Sequence, residues 1–264
     1  MSLAYWNGQV LPRGEVHLPP DDPGFLFGDG LFETLRVDAG SPRDVEAHLD
    51  RLLAGLRRVR IEIPEDRRGL RRAVAKVAQA APPPVARMRI TITRATRLIT
   101  TAPYEPPGEA VYRNGVAARL LPQYRVDSGG PLVGLKSLSY QANRLALLRA
   151  EEQGAWEALL LNEGGRLVEG SRTNVALVFA EGVFTPPRTD GCLPGTVRRR
   201  LLEKEAIREW PLSPDDLVQA SEVVLMNSLI GVLPVSSVNG REIPVGPMAG
   251  RLREMVEGPS PARA

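Results

Sequence analysis

Three residues in this chain carry a primary amine on a side chain: Lys76, Lys136 and Lys204, against 31 arginines. A neutral lysine amine attacks an aldehyde and forms a Schiff base. Loss of water favours that neutral form, because burial disfavours the ammonium ion. Lys136 sits in Pro131-Leu-Val-Gly-Leu-Lys-Ser-Leu-Ser-Tyr140, with no other charged residue between Asp127 and Arg144. That context suits an activated amine, and it also suits a strand-end lysine that snorkels to water. Lys76 ends the basic helical run Arg71-Arg72-Ala73-Val74-Ala75-Lys76, and Lys204 stands between Glu203 and Glu205. Both read as solvated surface lysines.

Other short segments offer complementary chemistry. Leu193-Pro194-Gly195-Thr196-Val197-Arg198 leads into a helix. A helix start presents unpaired N–H groups and the positive end of a dipole, which together attract an anion. The plain alternative is an ordinary threonine cap. Met226-Asn227-Ser228-Leu229-Ile230-Gly231 follows a strand and offers a second set of N–H groups. Val168-Glu169-Gly170-Ser171-Arg172-Thr173-Asn174 puts a carboxylate at a strand end, in what is otherwise a polar turn. Phe27-Gly28-Asp29-Gly30-Leu31-Phe32-Glu33-Thr34 is a glycine-rich turn running into a strand, without the GxGxxG spacing of a dinucleotide loop. Arg51 lies off the leucine stripe of its helix, facing solvent or a cavity beside the helix.

The elements that must position these groups alternate between strand and helix. Tyr5 to Val10 reads as a hairpin around Asn7-Gly8. Strands are expected over 31–37, 87–93, 115–121, 156–162, 167–169, 173–180 and 222–226. Helices are expected over 43–60, 139–153, 196–209 and 248–256, with a short one capped by Ser213 before Pro214. The stretch 101–115 is rich in Pro, Gly and Tyr and reads as a linker. Mixed elements in two halves imply two α/β (α+β) domains, over 1–112 and 113–264.

Composition removes several function classes. With 43% hydrophobic and 25% charged residues, the chain is an ordinary globular one rather than a disordered one. Cys192 is the only cysteine, and His17 and His48 are the only histidines, so intrachain disulfides and Cys₄, Cys₂His₂ or His₃ zinc sites are impossible. No metal site is expected. The net charge is +3 with both signs interspersed, and aromatic residues are 5%, which does not suit a nucleic-acid binder. No apolar run has the length of a membrane span, and the N-terminus lacks a secretory pattern, so a cytoplasmic protein is expected.

Taken in order, the segments resemble the class IV (fold type IV) pyridoxal-phosphate-dependent aminotransferase family, and most of all its aminodeoxychorismate lyases. The resemblance runs from about Trp6 to Val256. Lys136 in Lys-Ser-Leu-x-Tyr matches the family's Schiff-base lysine. Glu169, in Glu-Gly-Ser-x-x-Asn174, matches the residue that meets the pyridine nitrogen. Arg51 in His48-Leu49-Asp50-Arg51-Leu52, the turn Gly195-Thr196-Val197-Arg198 and the loop Asn227-Ser228-Leu229 match the phosphate ligands. Tyr140 is expected at the cofactor's phenolic oxygen. The first motif, Gly24 to Val37 with Thr34, is similar to the lyase form.

The resemblance implies a smaller N-terminal and a larger C-terminal α/β domain, with pyridoxal 5'-phosphate in the cleft and a homodimer. It implies release of pyruvate and 4-aminobenzoate from a small anionic amine, or transamination of D-amino or branched-chain amino acids as the alternative. Lys136 and Thr34 would be catalytic, and Phe32 and Arg97 would contact the substrate.

Overall fold

The alternation Arg87-Met-Arg-Ile-Thr-Ile-Thr93 places apolar side chains on one face of a strand and polar ones on the other. In the computed structural model, which describes residues 2–257, this pattern organises the first of two compact units. The chain passes between the units after Pro106, Gly134 and Tyr140.

In the first unit, β1 (Leu3–Trp6) and β2 (Gln9–Pro12) form the expected hairpin, with Asn7 and Gly8 at φ of 46° and 98°. There follow α1 (Pro23–Phe27), β3 (Gly30–Asp38), β4 (Ser41–Pro42), α2 (Val45–Arg58), α3 (Arg67–Gln79), β5 (Val85–Thr93) and β6 (Arg97–Pro103). The strands form one antiparallel sheet in the order β2-β1-β6-β5-β3-β4. Leu31, Leu35 and Val37 of β3 and Met88, Ile90 and Ile92 of β5 are buried in one core with Leu49, Leu52 and Leu56 of α2 and Leu70, Val74 and Val77 of α3. At Gly55 an added Cβ would lie 2.7 Å from Leu31 Cδ1, so α2 can approach β3 only because that position has no side chain. The segment 135–140 joins this unit as a ribbon along β3. The Leu138 N–H donates to the Gly30 carbonyl and the Phe32 N–H to the Lys136 carbonyl, at 2.9 and 2.8 Å.

The second unit contains α4 (Glu109–Asn114), β7 (Val116–Val126), α5 (Gln141–Glu152), β8 (Glu157–Asn162), β9 (Leu167–Gly170), β10 (Asn174–Phe179), β11 (Gly182–Thr185) and α6 (Thr196–Glu203). It continues with β12 (Arg208–Glu209), α7 (Pro214–Gln219), β13 (Glu222–Asn227), β14 (Gly231–Val238), β15 (Arg241–Glu242) and α8 (Pro247–Glu257). Its mixed sheet runs β12-β11-β10-β13-β14-β7-β8-β9, with β15 paired to β14. Its central strands are apolar on both sides because both faces are covered. Val223 and Leu225 of β13 enter one core, while Val224 and Met226 enter another with Val197 and Leu201 of α6 and Leu252 of α8. Ser213 and Asp216 form a reciprocal capping box at the start of α7.

The mixed α/β architecture agrees with the expectation, but three boundaries differ. The expected domain border at 112 falls inside α4, and the units part instead at 106, with 135–140 belonging to the first. The expected linker 101–115 contains the end of β6 and all of α4. The helix expected over 196–209 stops at Glu203, because Glu205 adopts a left-handed φ of 54°, and Arg208–Glu209 pair as a strand instead. Among the described residues no helix is long and apolar enough to cross a membrane.

Candidate active site

In the first unit the chemistry gathers on the sheet face away from α2 and α3. The β3–β5 register pairs Phe32 with Thr91, Thr34 with Arg89 and Arg36 with Arg87, so these six side chains share one face. The ribbon adds Lys136 to it. Lys136 Nζ lies 4.4 Å from the Phe32 ring centroid and 5.3 Å from that of Tyr140. The two rings meet edge to face at 5.4 Å. The structure therefore brings Lys136, Phe32 and Tyr140 together, with Thr34 two residues along the same strand face.

Arg89 belongs to this face and is invisible in the sequence, where Arg87 and Arg89 look like the solvated side of an alternating strand. Its Cζ lies 3.8 Å from the Phe32 centroid. Loss of water, then the neighbouring Arg87 charge, lower its pKa. Arg97 goes elsewhere. Paired with Ile92, and two residues before the buried Ile99, it follows the apolar face, where its Nε donates to both oxygens of Glu65 at 3.1 Å. Tyr5 Oη donates to the same carboxylate, and burial followed by Glu65 pushes its pKa up to about 12.

Arg51 also points at the helix-covered face. Its Nε and Nη2 donate to Glu33 Oε1 and Oε2 at 2.8 and 2.6 Å. His48 Nδ1 donates to Glu33 Oε2 at 2.7 Å. Burial alone would raise the Glu33 pKa, but the Arg51 charge and the hydrogen bonds from Arg51 and His48 outweigh it and hold the carboxyl at about 2. Sequence reasoning missed Glu33. The available signal was a charged residue inside the buried alternation Leu31-x-Glu33-x-Leu35.

The second unit fixes its own set. Glu169, at the end of β9, accepts the Leu193 N–H at 2.9 Å and the Asn174 amide at 3.2 Å on the same oxygen. Asn174 also donates to the Leu193 carbonyl at 2.9 Å. One side chain thus joins the carboxylate to the turn that opens α6. A Cβ on Gly195 would lie 2.0 Å from Asn174 Oδ1, so this turn closes only around glycine. Thr196 and Val197 begin α6, and Gly195 caps it without a side-chain acceptor. Arg198 is 2% exposed and turns to the Pro186 carbonyl and Glu209.

In the second loop, Asn227 Oδ1 accepts the N–H groups of Leu229 and Ile230 at 2.9 and 3.1 Å, which orders Ser228 and Leu229. Beneath the Glu169–Asn174 turn lies Glu157, another residue the sequence did not single out. It accepts Ser171 Oγ, the N–H of Ser171, the N–H of Ala158 and the Thr173 hydroxyl. Cys192 is buried and burial pushes its thiol up to about 12, which removes it as a nucleophile.

These donor sets fit pyridoxal 5'-phosphate chemically. An amine lies among aromatic rings, a carboxylate is held rigidly by neighbouring N–H groups, and an arginine and a helix start suit a dianion.

Comparison with known proteins points the same way. Residues 30–238 match the family model described as amino-transferase class IV. A putative branched-chain-amino-acid aminotransferase of Methanocaldococcus jannaschii is 30% identical over 95% of this chain and 93% of its own. A bifunctional aminodeoxychorismate lyase / D-amino acid transaminase of Mycobacterium tuberculosis is 28% identical over 95% and 96%. The solved structure of a hypothetical aminotransferase from Mycobacterium tuberculosis in PLP-bound form has a TM-score of 0.86 at 28% identity, covering 96% of this chain and 97% of that one.

Proposed function

This chain belongs to the class IV aminotransferases, and we propose that within that family it is a 4-amino-4-deoxychorismate lyase, releasing pyruvate and 4-aminobenzoate. The observation that carries this reading is the cationic face of the first unit, where Arg89 and Arg87 stand beside Phe32, Thr34 and Lys136. The substrate bears two carboxylates away from its reacting amine, and arginine is the side chain best suited to hold such groups by paired hydrogen bonds. A branched-chain amino acid offers no second carboxylate to that face.

The cofactor is pyridoxal 5'-phosphate, which supplies an aldehyde for exchange with the substrate amine and a ring that accepts the electron pair of a broken C–H bond. Lys136 would be the residue that holds that aldehyde. Its amine would also take the proton from substrate C4. The C3–O bond then breaks, and the Thr34 hydroxyl donates a proton toward the departing enolpyruvyl oxygen. Glu169, braced by Asn174 and the Leu193 N–H, holds a proton on the ring nitrogen. Tyr140 donates to the phenolic oxygen. Arg51, the N–H groups of Thr196 and Val197, and Ser228 would hold the phosphate, while Gly195 and Leu229 shape the two loops, their own N–H groups being taken by the Leu193 carbonyl and Asn227 Oδ1. Phe32 forms the apolar floor, and Arg89, rather than Arg97, receives a substrate carboxylate. The same reading makes the protein a cytoplasmic homodimer whose product enters folate synthesis.

The test mixes the cofactor-loaded protein with aminodeoxychorismate and no keto acid, and follows 4-aminobenzoate by fluorescence. Sustained turnover that Lys136→Ala lacks is the expected result. No product, together with bleaching of cofactor absorbance by a D- or L-amino acid, would make the protein an aminotransferase. Arg89→Met is expected to raise KM for aminodeoxychorismate by about tenfold or more, the effect of losing one charged hydrogen-bond partner. Thr34→Gly is expected to lower lyase turnover while cofactor affinity stays unchanged, and an unaltered rate would remove Thr34 from the mechanism.

A further inference from the structure

Arg51 reaches its carboxylate through the interior of the first unit. Glu33 is 1% exposed and sits on the face of β3 that α2 covers. Its two oxygens engage one edge of the Arg51 guanidinium, through Nε at 2.8 Å and Nη2 at 2.6 Å. A guanidinium is planar and carries five N–H groups in fixed directions. Two of them lie on the edge that Glu33 engages, so Glu33 sets the plane and the direction of the other three.

Glu33 is itself fixed by a third residue. His48, 1% exposed, lies three residues before Arg51 on α2, on the same side of the helix. Its Nδ1 donates to Glu33 Oε2, and its Nε2 is buried with no hydrogen-bond partner among the described residues. Burying a histidine nitrogen this way is unfavourable, and stability alone would be served as well by an apolar residue. A histidine at this position fits a carboxylate that must not rotate.

We propose that Glu33, held by His48, is a positioning residue that aims Arg51 at the phosphate of the cofactor. It touches neither cofactor nor substrate and acts only through the orientation of the guanidinium. The proposal rests on the reading of Arg51 as a phosphate ligand, and its test separates the two.

The measurement is equilibrium affinity of the full-length protein for pyridoxal phosphate and for pyridoxal, which shares the aldehyde and ring but has a hydroxyl in place of the phosphate. Glu33→Gln is expected to weaken pyridoxal phosphate binding by about tenfold to a hundredfold, the size of a lost hydrogen bond to a charged group. Pyridoxal affinity should change by less than about twofold. On an Arg51→Lys background, where the planar fork is gone, adding Glu33→Gln should cost less than about twofold more. His48→Asn keeps Glu33 charged and should show the same phosphate-selective loss at smaller size, and it decides the matter if Glu33→Gln does not fold.

Equal weakening of both ligands by the folded variants would mean a structural role only and overturn the proposal. So would unchanged pyridoxal phosphate affinity. If Arg51→Lys itself fails to distinguish the two ligands, the phosphate role of Arg51 falls and the proposal with it. If Arg51→Lys distinguishes them and the Glu33 and His48 variants do not, the proposal alone falls.

Discussion

Glu33 in the first unit and Glu157 in the second are both withdrawn from water, at 1% and 0% exposure, yet their pKa values move in opposite directions. Burial raises both. At Glu33 the charge of Arg51 and the donors on Arg51 and His48 overcome it, and the value falls from 4.5 to about 2. At Glu157 the opposing groups are the Ser171 and Thr173 hydroxyls, a backbone N–H and Arg172 at 3.9 Å, and burial wins. One buried carboxylate is therefore a fixed anion that orients a cation. The other is a carboxyl whose pKa burial raises and which ties down a turn. Each braces residues proposed above to bind the cofactor, so this chain would support the two sets of ligands by two electrostatic routes.

The largest expected difference comes from truncation. Glu33→Ala leaves Arg51 without its counter-charge at 12% side-chain exposure, and breaking a buried ion pair costs about 3–5 kcal/mol. Glu157→Gln keeps an acceptor for the N–H groups, and the Thr173 hydroxyl can rotate to accept instead of donate. Its cost should stay within about 1 kcal/mol. Urea denaturation of the two variants measures this, and similar losses would break the comparison.

Proton linkage gives a difference of intermediate size. A depressed carboxyl pKa stabilises the fold above its ordinary value of 4.5, and that contribution is lost as pH falls from 4.5 toward 2. A raised carboxyl pKa does the reverse: the contribution is whole below 4.5 and diminishes as pH climbs through the raised value. Denaturation of wild type and Glu157→Gln at a series of pH values should show the variant gaining on wild type as pH rises above 4.5. A gap independent of pH would mean that Glu157 is not the group titrating.

The smallest effect sharpens the second half of the comparison. Thr173→Val removes one donor to Glu157 Oε2 and should cost about 1 kcal/mol. Because three donors on Oε1 remain, the Glu169–Asn174 turn should keep its shape, and pyridoxal phosphate affinity should change by less than about threefold.

Features carried by contiguous residues were legible before the structure. The Glu169–Asn174 turn, the glycine start of α6 and the Asn7-Gly8 hairpin each state their geometry within a few positions. Lys136 was legible through the absence of charged neighbours. Glu33 was not, because its partners lie 15 and 18 residues away and meet it only when α2 packs on β3. Arg89 was hidden because an arginine on the polar side of an alternating strand looks the same whether that side faces solvent or the Phe32 ring. The end of α6 was missed because Glu203-Lys204-Glu205-Ala206 favours helix throughout, and only the left-handed turn at Glu205 stops it. The candidate linker concealed β6, whose pairing with β5 through Pro103 depends on a partner rather than on its own composition.

The ribbon around Lys136 also bears on how the chain comes to be made. A ribosome delivers residues in order, yet the first unit draws one of its parts from beyond Gly134. A nascent chain that ends at Pro106 has all six strands of that unit's sheet, but the Gly30 carbonyl and Phe32 N–H still lack their mates, and the core lacks Leu135. The edge of β3 therefore stays open during synthesis until Tyr140 has emerged, a template for stray pairing in the interval. Lys136, proposed above as the Schiff-base lysine, arrives on the very piece that closes it.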